Sequence, residues 1–215
     1  MASTIKERFN RPGESARLGI ELPFEERSKG LTVLAKGEFF IKMVDGTTGE
    51  VLVDRHIENI ITLDAGILAA ILFRDPETRN GANMLAIGTG ATGALLSPDA
   101  PDSRQRKLNA EITRKTWSSS VFRDTDGNAV AIPTNILDWT VTYDESEAVG
   151  PLNEMGILST ISDNPSVKND NPDVFPARDV TQDLSEYDIL VNYLSFAVIS
   201  KPATARLTIT WRITF

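Results

Sequence analysis

The last nine residues of this 215-residue chain alternate without a break. Leu207, Ile209, Trp211, Ile213 and Phe215 are apolar, while Thr208, Thr210, Arg212 and Thr214 between them are polar. A period of two places all five apolar side chains on one face of an extended strand. A strand that keeps this pattern to its final residue must be hydrogen-bonded into a sheet, with that face turned to a core. Few folds other than a layered β structure can use such an ending.

The same signature recurs upstream. Leu137, Trp139, Val141 and Tyr143 alternate with Asp138, Thr140, Thr142 and Asp144, and Phe39, Ile41 and Met43 share a face within Leu31 to Val44. Asp45-Gly46-Thr47-Thr48-Gly49 reads as a hairpin loop, with Val51 to Ile57 as the returning strand. Met84 to Ile87 reads as a short buried strand, Leu108 to Phe122 as one strand of mixed faces, and Asp124 to Asn128 as a second hairpin turn. Leu152 to Leu158 and Asp188 to Ile199 complete the set, and Gly156 within the former predicts a bulge or the close approach of another backbone. One helix is predicted. Thr62 is placed to cap it, Asp64 sits in its first turn, and Leu63 to Phe73 is apolar on all sides, so a sheet should cover it. Roughly eight short strands and one short buried helix point to a mainly β protein, an antiparallel β-sandwich.

The first 30 residues break the pattern. They hold six cations against five carboxylates, net +1, which leaves −9 on the other 185 residues for the total of −8. Pro12, Gly13, Pro23 and Gly30 interrupt any helix, and only Leu18, Ile20, Leu22 and Phe24 alternate. Residues 1–30 therefore read as an extended N-terminal docking arm, and residues 31–215 as a single sandwich domain. The arm has little core of its own and is expected to gain order on a partner surface. The candidate contacts are Arg8, Arg11 and Arg17 on acidic patches, with Phe9, Leu18, Ile20, Leu22 and Phe24 in apolar grooves.

Composition limits the chemistry. The chain has no cysteine and one histidine, so thiol nucleophiles, thiolate metal sites and disulfides are excluded. The acidic balance argues against coating nucleic acid, which needs clustered Lys and Arg. Residues 1–10 lack the apolar stretch of a secretory signal, and the longest apolar run, Ala65 to Phe73, falls well short of the ~20 residues of a membrane helix. Gly88-Thr89-Gly90-Ala91-Thr92-Gly93 matches a dinucleotide-binding spacing, but Pro98 and Pro101 follow where a helix should begin, so a tight glycine turn opening a Gly/Pro/Ser-rich loop from Gly88 to Ser103 is the better reading. Asp163, Asn169, Asp170, Asn171 and Asp173 offer oxygens for a cation but lack the register of a calcium loop, and Ser162 to Asp179 reads as a long solvated loop. Glu145, Glu147 and Glu154 could supply the carboxylate pair of a glycan hydrolase, although nothing in the spacing brings two of them together. His56 lies beside Arg55 in a strand with no nucleophile motif nearby. No catalytic residue, cofactor site or metal site is expected.

A series of phrases in fixed order carries a resemblance. Asp45 to Leu52 precedes Glu58-Asn59-Ile60-Ile61 and the apolar helix; Ile87 to Gly90, Leu108 to Arg114 and Asn153 to Leu158 follow; Phe196 to Lys201 and Leu207 to Phe215 close the chain. From about Leu31 to Phe215 the chain resembles a family of small tailed-bacteriophage virion proteins, found among tail, baseplate, neck and fibre-associated components. The resemblance implies a non-enzymatic virion structural protein, assembled in the host cytoplasm, whose partners are other virion proteins and copies of itself rather than nucleic acid or membrane. The arm before Leu31 and the loop Ser162 to Asp179 depart from the family pattern. Two placements follow, an adaptor of the tail, baseplate or collar and a capsid decoration protein that clamps the head. A glycan hydrolase, and a receptor-binding module using the Ser162 to Asp179 loop, are the rivals.

Overall fold

A computed structural model describes residues 36–74, 79–170 and 186–215. All eight arm residues singled out above lie outside these, as does the loop from Asn171 to Asp179. Ala35–Phe215 forms one compact unit.

That unit is an antiparallel β-sandwich. In chain order the strands are β1 (Lys36–Asp45), β2 (Val51–Glu58), β3 (Ile60–Ile61), β4 (Met84–Gly88), β5 (Gly93–Ala94), β6 (Ser97–Pro98), β7 (Glu111–Thr116), β8 (Ser119–Arg123), β9 (Ala129–Val130), β10 (Ile136–Tyr143), β11 (Gly150–Ser159), β12 (Ile189–Lys201) and β13 (Ala205–Thr214), with helix α1 (Leu63–Arg74) between β3 and β4. One sheet runs β2-β1-β13-β10-β8-β9 and the other β3-β12-β11-β4-β7, while among the described residues β5 and β6 pair only with each other.

The terminal alternating strand is a central member of the six-stranded sheet. β13 pairs with β1 on one side and β10 on the other, which sets Trp211 opposite both Phe39 and Trp139. The rings stack in a row: Trp117 to Trp139 at 5.5 Å, Trp139 to Trp211 at 4.8 Å and Trp211 to Phe39 at 6.4 Å between centroids. Cross-strand aromatic pairs of this kind hold register as well as burying area. On the outer face Thr140 and Thr210 share a hydrogen bond at 3.0 Å, and Thr142 and Thr208 one at 3.3 Å.

The five-stranded sheet is covered on both faces. Leu85, Ile87, Met155 and Ile157 face the six-stranded sheet in the main core, while Met84, Ala86, Leu108, Leu158, Leu190 and Tyr193 form a second cluster. Every residue of β4 is buried, as are Leu152 to Ser159 of β11. Alternation along β11 puts Met155 and Ile157 in the main core and Leu158 in the second cluster, and two register shifts interrupt its ladder with β12. Gly156 lies where a Cβ would meet Leu190 Cδ1 at 2.6 Å and the Asn192 carbonyl at 2.7 Å, so the predicted close approach is real.

Three expectations are corrected. Leu108 to Phe122 is not one strand: β7 belongs to the five-stranded sheet and β8 to the six-stranded one. The chain changes sheets at Trp117, whose indole stacks on Trp139 and donates to the Ala82 carbonyl at 3.0 Å. The helix is less buried than its composition predicts. Thr62 Oγ1 does cap it, accepting from the Ala65 amide at 3.3 Å, but only Asp64 and Leu68 within it are buried and Phe73 is 91% exposed. It lies on β12 by one face alone. Finally, the segment after Gly88 contains the small β5–β6 ladder rather than loop throughout.

Candidate functional site

A dense polar constellation surrounds Glu154, which is fully buried on β11. Its Oε1 accepts from the backbone N–H of Gly90 at 3.0 Å and of Ala110 at 2.7 Å; its Oε2 accepts from the Asn109 N–H at 3.0 Å and the Tyr193 hydroxyl at 2.8 Å. Four donors leave the carboxylate without free capacity for acid–base work. The neighbouring Asn153 side chain accepts from the Ala91 N–H at 3.1 Å. Gly88 to Gly93 is thus a glycine turn wrapped on an internal anion, with no helix after it. At Gly90 a Cβ would come within 2.7 Å of Glu154 Oε1. Burial, reinforced by the adjacent Glu154 carboxylate, raises the Tyr193 hydroxyl well above its ordinary value, which keeps it a donor.

The other two candidate carboxylates sit elsewhere. Glu147 is on the turn after β10, where its Oε2 meets Lys115 Nζ at 2.6 Å and the Asp144 N–H at 2.8 Å. The hydrogen bond from Lys115 holds its carboxyl below the usual range. Glu145 pairs with Arg206 at 3.3 Å. The turn bends sharply, with Ser146 and Ala148 at φ of 68° and 48°. Buried at its base is Lys201, 1% exposed, donating to the Asp144 carbonyl at 2.9 Å. Burial lowers the Lys201 pKa, against the pull of Glu145, Glu147 and Asp144.

Of the loop carboxylates weighed against a cation, Asp163 and Asp170 are engaged by the protein's own donors. Arg114, whose side chain is fully buried, takes Asp170 at 3.0 Å, both oxygens of Glu111 at 2.7 Å, and Asp188. Burial alone would lower the Arg114 pKa, but its hydrogen bonds to Glu111 and Asp188 outweigh this and raise it. Asp188 also accepts from the Asn169 N–H at 3.0 Å, and Asp163 accepts from the Asn80 and Asn83 side-chain amides at 3.2 and 3.3 Å. Asn171 and Asp173 lie outside the described residues. Among the described residues no three His, Asp or Glu side chains converge as a metal site would need. His56 stacks on Phe40 at 4.5 Å on the open face of the six-stranded sheet, and the Arg212 guanidinium covers the same ring.

Sequence reasoning missed Arg114, Asp138, Asp188 and Lys201 as buried ionic residues. Asp138 sits on the polar side of its strand, yet it is 3% exposed because Arg123 and Arg212 close over it at 2.8 and 2.7 Å. Charge at a strand position gave no sign of which cations would fold down. No protein-family model matches the chain, and no curated protein matches it either.

Proposed function

We propose that this chain is a non-enzymatic structural component of a tailed-phage virion, an adaptor of the tail, baseplate or collar that docks through its N-terminal arm. The observation that carries the reading is the Glu154 site. The best sheltered carboxylate in the body spends all its hydrogen-bonding capacity holding three backbone amides and a tyrosine in place. Glu145 and Glu147 are held at the surface by ion pairs with Arg206 and Lys115. A body that uses its reactive side chains as internal fasteners suits a rigid scaffold, and the resemblance from Leu31 to Phe215 supplies the kind of assembly. Arg8, Phe9, Arg11, Arg17, Leu18, Ile20, Leu22 and Phe24 are the contacts assigned to the arm. Partners are then other virion proteins and further copies of this chain, and closed symmetry predicts several copies per ring or trimer.

Quantitative gel densitometry of purified particles tests this. An adaptor is expected in a few to dozens of copies per particle, and a head decoration protein in hundreds. Absence from washed particles, or depolymerisation of host polysaccharide by the purified protein, would contradict the reading.

A further inference from the structure

β2 is the outermost strand of the six-stranded sheet, and no strand pairs with its outer edge among the described residues. Its eight residues contain no proline, and Val51 and Leu52 are 48% and 41% exposed. Unpaired edges of this kind are templates for an added strand. Beneath the inner side of β2 lies a groove of about 430 Å³, lined by Arg55, Ile57, residues 97–101 and Ser195 to Ala197 of β12. Its walls are already fixed. The Arg55 guanidinium donates to the Ala197 carbonyl, Ser195 Oγ donates to the Asp99 carbonyl at 2.7 Å, and the Val198 N–H donates to the Leu95 carbonyl at 2.8 Å. Leu95 and Leu96, 64% and 78% exposed, stand at the tip of the β5–β6 turn beside it.

We infer that this edge and groove receive residues Leu18 to Phe24 of a neighbouring copy's arm, added as a strand along β2. The inference rests on the structural reading above and names the surface the arm uses. Leu18, Ile20, Leu22 and Phe24 fall on one side of such a strand, the side that drops into the groove against Ile57, Pro98, Pro101 and Phe196. Arg17 and Glu21 fall on the opposite side, where β2 presents the exposed Asp54, His56 and Glu58. Pro23 is compatible with an outermost strand, which leaves alternate N–H groups free. Eleven residues separate Phe24 from Lys36, including Glu25, Glu26, Arg27 and Lys29. Extended, they span roughly 36 Å, enough to carry the arm off its own body.

The absence of cysteine makes the test direct. Full-length I20C protein is mixed with full-length S97C protein under mild oxidation, with T210C on the open sheet face as the control partner. The expected result is a disulfide-linked pair of chains with S97C, at several times the yield with T210C. A yield no higher than the control overturns the inference. So does an I20C/S97C double variant that closes its disulfide within one chain at every dilution, since the arm then occupies its own groove. Ala100→Arg, at an exposed groove residue, is expected to reduce incorporation into particles as severely as deletion of residues 1–30. Where deletion abolishes incorporation but Ala100→Arg does not, the groove assignment fails and the arm's docking role stands. Where deletion changes nothing, both fall.

Discussion

The two sheets solve opposite problems. The five-stranded sheet is covered on both sides and has had to bury a carboxylate, Glu154, to close a glycine turn over its far face. The six-stranded sheet buries one face in an aromatic row and leaves the other to threonines and ion pairs. Each contains a nearly inaccessible carboxylate with several partners, Glu154 at 0% and Asp138 at 3% exposure. The partners differ. Glu154 is held by buried dipoles of fixed geometry, whereas Asp138 is covered by two arginine side chains that remain 28% and 26% exposed. Low accessibility alone therefore does not measure how much a charge matters; what is stranded when it leaves does.

Paired substitutions put that contrast at risk. Glu154→Ala strands three backbone N–H groups and the Tyr193 hydroxyl, and should cost about 4 kcal/mol in urea unfolding, with faster hydrogen exchange at Gly90 and Ala110. Asp138→Ala releases its arginines to solvent and should cost about 1 kcal/mol. Equal losses would dissolve the distinction between the sheets. Between these, Gly156→Ala should cost about 2 kcal/mol, because the colliding Asn192 carbonyl belongs to the β12 backbone.

Lys201 sharpens the comparison by pH. Its pKa is lowered by burial, so as pH rises the folded protein loses this proton before the unfolded chain does. The unfolded state then binds more protons, and this group's contribution to stability increases with pH toward 10.5, the ordinary lysine value. Below the folded pKa the burial penalty applies in full. Lys201→Met should be at least as stable as the natural protein at neutral pH, and its advantage should shrink by about pH 10. Smallest of all, Thr210→Val on the open face should change stability by less than about 0.5 kcal/mol.

The legible part of the fold was the part governed by period two. β1, β10 and β13 each expose their core face in the residue pattern, and the turns Asp45 to Gly49 and Asp124 to Asn128 carry their own side-chain caps from Asp45 and Asp124. The sheet change at Trp117 was not legible, because an extended segment reads alike whether its two halves pair with one sheet or two. Nor was the helix exposure, since apolar residues mark what could be buried and not what a single neighbouring strand can cover. The charge of Glu154 marks it in the sequence, but its role depends on where the Gly90, Asn109 and Ala110 amides arrive, which local sequence does not encode.

We propose that the body stands alone and the arm joins it to others. Deleting residues 1–30 and scoring incorporation into particles, alongside thermal unfolding of the purified protein, addresses both halves at once. The expected result is an unfolding transition close to that of the full chain, with particles lacking the truncated protein. Normal incorporation without the arm, or collapse of the body on its removal, would contradict it.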